Sequence, residues 1–105
     1  MRRGEVWWAH LPEPIKPRPV LLLSRDAAYE RRARVTVGPI TTTIRSIDSE
    51  VRLGPEDGLR QRCVVNLDDI QTIPKAALTR QLTMLSRQKM DAVNTAIRYA
   101  LDIER

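Results

Sequence analysis

A proline-rich segment followed at once by an apolar run constrains this fold most strongly. Residues 12–19 read PEPIKPRP, and the next four residues read VLLL. Each proline lacks a backbone N–H and disfavours helical geometry at the residue before it, so this segment cannot be helical. A short apolar run after it is typical of a buried strand, which we place at 20–24. The sequence therefore predicts a stiff, extended entry to a core strand, with Arg18 held between two prolines.

The remaining sequence alternates short strand-forming runs with turn-forming segments. Residue types and alternation predict strands over 4–11, 34–41, 50–53 and 63–67. Gly38-Pro39 predicts a kink or bulge within the strand 34–41. The segment 25–34 is expected to be a loop or one short helical turn, 54–58 a turn, and 68–74 a segment that leaves the last strand and ends at Pro74.

The C-terminal segment changes to a helical period. Apolar residues recur at three- and four-residue spacing through 86–103, and Ser86 can cap the N-terminus of a helix. A small sheet must curl to protect its edges. We therefore predict one domain over 1–105, mainly β or α+β, built as a small, partly open barrel with an amphipathic C-terminal helix packed on it.

The composition bounds the classes of function. The formal net charge is +5, and 15 of the 18 basic residues are arginine. Arginine matches phosphate geometry, so nucleic acid is the simplest partner, although a basic composition alone is equally compatible with a merely soluble protein. One cysteine and one histidine leave no disulfide and no metal cluster, and no segment resembles a signal peptide or a membrane span. We expect a cytoplasmic protein without metal or other cofactor.

The order of the motifs is informative as a set. RGEVWW, RPVLLLS, VTVGPITTT, EVRL and VVNLDDIQTI, followed by a terminal helix, resemble the MazF/PemK (Kid) toxins of bacterial toxin–antitoxin pairs over roughly residues 3–101. The resemblance implies an SH3-like barrel, a homodimer and a cognate acidic antitoxin. It also implies a metal-independent endoribonuclease that cuts single-stranded RNA at short sequences and leaves 2′,3′-cyclic phosphate and 5′-hydroxyl ends.

The same resemblance suggests individual site residues. Arg18 matches the catalytic arginine of the family's RPV motif, Thr41 its usual threonine partner, and Asp68 the aspartate that some members use as general base. In those members an arginine two residues earlier is the acid, and here that position is Asn66. Further candidates for RNA contact are Lys16, Thr42, Thr43 and Asn66.

The same residues also have structural explanations. Arg18 could instead pair with a surface acid at the strand end, since such pairs are common and weak. His10 alternates with Trp8 on a predicted strand and is better explained as structural, and the basic run 31–34 as a solvated loop. At the level of function, a toxin of the same fold that binds DNA gyrase without cutting, or a passive RNA-binding barrel, competes with the ribonuclease.

Overall fold

The apolar runs of the sequence form the strands of one antiparallel sheet. The computed structural model describes residues 1–104. Seven strands and two helices follow one another along the chain: β1 Glu5–Ala9, β2 Arg18–Leu22, α1 Ala28–Arg31, β3 Arg34–Thr41, β4 Glu50–Leu53, β5 Cys63–Asn66, β6 Gln71–Pro74, β7 Leu78–Met84 and α2 Arg87–Leu101. The strand order is β4-β5-β3-β2-β1-β7, and β6 pairs with β3 beside β5. No pairing among the described residues joins β7 to β4, so the sheet is curled but open.

Strand β3 is the pivot of this sheet. One of its edges pairs with β2, while the other pairs first with β6 along 34–37 and then with β5 at 40–41. Gly38 lies between these two partners, and a Cβ there would be 3.0 Å from Val65 Cγ2. The glycine therefore allows β5 to pack closely. The bulge predicted at Gly38-Pro39 is wrong, because β3 pairs with β2 in an unbroken register there. The register shifts of the sheet lie between β1 and β7, at Val6/Trp7 and Trp8/Ala9.

Apolar side chains cover both faces of the sheet. Since successive residues of a strand point to opposite faces, β2 supplies Leu21 to one cluster and Leu22 to the other. The first cluster includes Val93 and Ala96 of α2, which packs on that face. The second cluster includes Tyr29 of α1. The two helices thus lie on opposite faces of the sheet.

The predicted fold class is confirmed, with differences in individual elements. Helix α2 begins as predicted, and the hydroxyl of Ser86 accepts the N–H of Lys89 at 3.1 Å. Strands β6 and β7 were not predicted. In β6 only Ile73 is buried, and in β7 the two irregularities of pairing with β1 break the alternation that a sequence pattern needs. Within residues 1–104, neither helix combines the length and the apolar character needed to cross a membrane.

Candidate active site

Three strand ends bring polar side chains to one face of the sheet. Arg18 begins β2, Thr41 ends β3 and Asn66 ends β5. The register that pairs Val20 with Pro39 brings Arg18 opposite Thr41 when it is continued by two residues. The register that pairs Ile40 with Val65 likewise brings Pro39 opposite Asn66. Because directly opposite residues of antiparallel strands share a face, Arg18, Thr41 and Asn66 project to the same side, opposite α2.

These side chains line a cleft of about 160 Å³. The residues around it are Arg18, Pro39, Thr41, Thr43, Arg45, Asn66 and Asp69. A larger, more open concavity of about 540 Å³ lies beside α1 and the N-terminus, but it contains none of the residues predicted to act. We assign the site to the smaller cleft because its lining joins cations, hydroxyls, an amide and a carboxylate within reach of one another.

Arg18 enters this cleft without an acidic partner. Its Nε donates weakly to the carbonyl oxygen of Lys16, at 3.4 Å, and its terminal nitrogens have no hydrogen-bond partner among residues 1–104. The only salt bridge within residues 1–104 joins Lys89 to Asp57, on the other side of the sheet. The surface ion pair expected for a purely structural Arg18 is therefore absent from the described residues. The guanidinium retains most of its donors for an anion.

Thr41 and Thr43 form a small hydroxyl-lined turn at the end of β3. The Thr41 hydroxyl oxygen accepts the N–H of Thr43 at 3.1 Å, which fixes the orientation of the side chain. A hydroxyl that accepts a hydrogen bond retains its own hydrogen for donation. Thr41 can therefore donate to an anion that Arg18 also contacts.

The acidic residues after β5 are placed differently from the prediction. Asn66 is 5 % exposed, and its two side-chain ends bind the chain that follows: Oδ1 accepts the N–H of Asp68 at 2.9 Å, and Nδ2 donates to Asp69 Oδ2 at 3.1 Å. The Asp68 carboxylate instead accepts the hydroxyl of Ser49 at 2.6 Å and does not line the cleft. Asp69, which the sequence did not single out, does. The carboxylate that lines the cleft is therefore that of Asp69 and not that of Asp68.

Of the predicted RNA-contacting residues, Thr43 and Asn66 line the cleft and the other two do not. Lys16 is exposed in the proline-rich segment, and only its carbonyl oxygen contacts Arg18, while Thr42 is exposed and does not line the cleft. Arg45 lines the cleft and was missed. Its only sequence signal was its position four residues after Thr41, in a segment without regular structure.

The other conspicuous residues have structural partners. Trp8 Nε1 donates to His10 Nε2 at 3.1 Å, and Trp7 Nε1 donates to Glu5 Oε1 at 2.8 Å. Cys63 is buried, and burial raises the pKa of its thiol. None of these side chains lines the cleft.

The cleft is chemically suited to a phosphate group. The lining carries two guanidinium groups, those of Arg18 and Arg45, and one carboxylate, that of Asp69, so its net charge is positive. Hydroxyl and guanidinium donors stabilise the negative charge that develops on phosphoryl oxygens, and a carboxylate can accept a proton. This combination can bind a phosphate group and accept a proton beside it.

Comparison with known proteins decides the family. A family model described as a PemK-like, MazF-like toxin of type II toxin–antitoxin systems matches residues 2–101. The chain belongs to the PemK/MazF toxin family. It is 46% identical over 104 residues to the probable endoribonuclease MazF5 of Mycobacterium tuberculosis, covering 98% of this chain and 94% of that protein. It is 40% identical over 95 residues to the endoribonuclease MazF3 of the same species, covering 90% and 92%.

Solved structures of PemK/MazF proteins have the same fold. The Mycobacterium tuberculosis toxin MazF-mt6 superposes with a TM-score of 0.88 at 39% identity, over 96% of this chain and 99% of that one. A mycobacterial endoribonuclease in complex with its cognate antitoxin gives 0.89 at 32% identity, over 100% and 98%. The resemblance seen in the motif order is confirmed. The prediction of an endoribonuclease is also confirmed, because the similar proteins are named as MazF endoribonucleases.

Proposed function

We propose that this PemK/MazF protein is the toxin of a toxin–antitoxin pair and cuts single-stranded RNA at a short sequence without a metal ion. The observation that carries this proposal is the unpaired Arg18 beside Thr41 in the electropositive cleft. Family membership supports it, since the relatives named above are endoribonucleases. A structural arginine would be expected to have an acidic partner, whereas a substrate-binding arginine need not.

The chemistry requires little covalent participation by the protein. The RNA 2′-oxygen attacks its own neighbouring phosphorus, the bond from phosphorus to the 5′-oxygen breaks, and a 2′,3′-cyclic phosphate forms. The nucleophile is already adjacent to the phosphate, so the protein must orient the backbone, accept the 2′-proton and stabilise charge. The departing 5′-oxygen takes a proton from water and becomes a hydroxyl.

Each cleft residue has a task in this scheme. Arg18 and the Thr41 hydroxyl donate to the non-bridging oxygens as negative charge grows in the transition state, and Arg18 donates a hydrogen bond to the leaving oxygen. Asp69 accepts the 2′-proton through Oδ1, because Oδ2 already accepts from Asn66. Asn66 thus orients the base, which differs from family members that use an arginine at this position.

The partners follow from the relatives. One similar structure contains a cognate antitoxin, and we propose that an acidic antitoxin segment covers the electropositive cleft of this chain. A homodimer would place two such clefts symmetrically about a two-fold axis. The chain is expected to work in the cytoplasm, where its RNA substrate is made.

The test uses purified wild type and Arg18→Ala on a long mixed-sequence RNA in the presence of EDTA. Mapping new 5′ ends should show cuts at one short sequence with 5′-hydroxyl ends. Loss of one transition-state donor typically lowers the rate roughly 10²- to 10³-fold, and we expect at least that for Arg18→Ala. Arg87→Ala is the matched control, because Arg87 is an exposed arginine on α2, across the sheet from the cleft.

Failure has a clear form. A folded wild-type protein that leaves the RNA intact, or an Arg18→Ala variant that cuts as fast as wild type, would refute the catalytic assignment. Gyrase binding and passive RNA binding would then be measured with the same proteins. A gyrase-binding toxin would keep its function in Arg18→Ala, and a passive RNA-binding barrel would bind RNA without cutting it.

A further inference from the structure

We propose that Arg45 binds the RNA phosphate next to the one that is cut, and that Glu50 positions Arg45 for this purpose. The proposal rests on the ribonuclease function proposed above and adds a second backbone contact to its site. Arg45 lies in the exposed segment 42–48 between β3 and β4, yet its side chain lines the cleft with Arg18.

The Glu50 carboxylate holds the backbone of this segment. Its Oε1 accepts the N–H of Arg45 at 2.9 Å and the N–H of Ser46 at 3.1 Å. Hydrogen bonds to an ionised acceptor are about twice as strong as neutral ones. Arg52 adds a third tie, because its Nη2 donates to the Ser46 hydroxyl at 2.6 Å. Two side chains of β4 thus bind the segment at Arg45 and at the next residue, Ser46.

The backbone at the fastening point is itself unusual. Ser46 has a φ of 59°, in the left-handed region that side chains other than glycine rarely adopt. Such a conformation is maintained only where the surroundings determine it. The turn directly follows Arg45, and Glu50 and Arg52 bind the backbone N–H and the hydroxyl of Ser46 there.

Glu50 belongs to the same face of the sheet as the cleft. It pairs directly with Asn66 across β4 and β5, so both side chains lie on one side of the sheet. Its second oxygen, Oε2, is buried and has no hydrogen-bond partner among the described residues. A buried oxygen without a partner is unfavourable for folding. The stabilising contacts of the Glu50 side chain are therefore the hydrogen bonds from the backbone N–H groups of Arg45 and Ser46 at the rim of the site.

The charges around the cleft point to an anionic occupant. The Arg45 guanidinium has no hydrogen-bond or ion-pair partner within residues 1–104, and neither do the terminal nitrogens of Arg18. The cleft lining carries one carboxylate, Asp69, against these two guanidinium groups, while the Glu50 carboxylate lies outside the lining and accepts backbone N–H groups. An anion in the cleft would balance the second guanidinium. Arg18 lies opposite Thr41 within the sheet, whereas Arg45 lies on a separate segment beyond Thr43. We therefore assign the two arginines to successive phosphates of one RNA strand.

The binding test uses a short single-stranded RNA that contains the mapped cut sequence. A 2′-deoxy sugar at the nucleotide before the cut prevents cleavage, and single neutral methylphosphonates replace one phosphate at a time. Wild type should lose affinity when either the scissile phosphate or one phosphate next to it is neutral. Arg45→Ala should bind the unmodified RNA roughly 10- to 100-fold more weakly and become insensitive to the neighbouring methylphosphonate alone.

Salt dependence and cleavage kinetics give independent readouts. Loss of one phosphate contact should reduce the slope of log K against log salt by about 0.7 for a single strand. In cleavage, Arg45→Ala should raise KM while kcat stays within a few-fold. Glu50→Ala should show the same pattern. Glu50→Gln should recover most of the affinity, because its amide oxygen still accepts both N–H groups. The double variant Arg45→Ala/Glu50→Ala should bind RNA no more weakly than either single variant.

The outcomes separate this inference from the function on which it rests. If wild type does not cut RNA, the proposed function fails first. If wild type cuts but Arg45→Ala keeps the affinity, the salt slope and the sensitivity to every methylphosphonate, the second phosphate contact is refuted. If Glu50→Ala lowers the melting temperature without changing the methylphosphonate pattern, Glu50 is only structural and the positioning role is refuted.

Discussion

Two adjacent aspartates after β5 should separate cleanly into one that affects stability and one that affects rate. Asp68 accepts the hydroxyl of Ser49, which is 1 % exposed, at 2.6 Å. Replacing Asp68 by alanine leaves that buried hydroxyl without its acceptor, which costs about 1–3 kcal/mol. For a domain of this size each kcal/mol lowers the melting temperature by roughly 4–8 °C. Asp68→Ala should therefore melt roughly 5–20 °C below wild type.

Asp69 should show the opposite behaviour. Its side chain is exposed and receives one hydrogen bond, from Asn66 Nδ2 at 3.1 Å, which the amide oxygen of an asparagine can also accept. Asp69→Asn should therefore change the free energy of unfolding by less than about 0.5 kcal/mol. Loss of the general base should nevertheless lower kcat roughly 10²- to 10⁴-fold.

The assay combines thermal unfolding with cleavage of a saturating concentration of RNA that contains the mapped cut sequence. Asp68→Asn is the matched control, because its amide oxygen can still accept the Ser49 hydroxyl while the negative charge is lost. We expect it to cut at nearly the wild-type rate. An inactive but folded Asp68→Asn, together with an Asp69→Asn that cuts normally, would show that the base is Asp68 and that the cleft geometry misassigns it.

Two further predictions concern stability. Gly58 has a φ of 90°, and a Cβ there would lie 2.5 Å from Thr83 Oγ1. Gly58→Ala should therefore lower the free energy of unfolding, measured with denaturant, by about 2 kcal/mol or more. Gly54 has an extended φ of −173° and lies beside the flexible Glu56, so Gly54→Ala should cost less than about 1 kcal/mol. Equal losses at the two glycines would contradict this. Burial raises the pKa of Tyr29 from 10.0 to about 12, so the unfolded chain loses the phenolic proton at a lower pH than the folded chain. The free energy of unfolding should therefore decrease by at most about 3 kcal/mol as the pH rises from 10 to 12. Tyr29→Phe should flatten that decline, and an unchanged decline would contradict the assignment.

Sequence patterns predicted the fold where burial follows a simple period. Strand β3, at 34–41, was predicted with its observed bounds, and the helix was predicted because its apolar spacing and its Ser86 cap agree. Strand β7 escaped prediction because its burial alternates poorly: Leu78 is buried, while Leu82 and Thr83 are both half-buried. Its pairing with β1 contains two register shifts, so no regular alternation is available to be read.

The candidate site was predicted only where the family resemblance supplied the residue. Arg18 and Thr41 were named from that resemblance, and the strand register brings them opposite one another at two strand ends. Asp68 and Asp69 could not be distinguished, because the short 3-10 turn over 67–69 turns one carboxylate toward Ser49 and the other toward the cleft. Arg45 depends on side-chain bonds from Glu50 and Arg52 that join residues across a turn, and such bonds leave no periodic signal in a sequence.

The arrangement of the sheet explains how this small chain can keep two arginines unpaired. Helix α2 and the cluster around Leu21 and Val65 stabilise one face, so the cleft face carries polar residues at its edge without interrupting that core. Unpaired like charges beside the cleft oppose folding slightly, and an anion that binds only the folded state offsets this by mass action. RNA and an acidic antitoxin would both supply that anion. If the proposed function holds, substrate and inhibitor would be mutually exclusive in this cleft, because each would need the donors of Arg18 and Arg45.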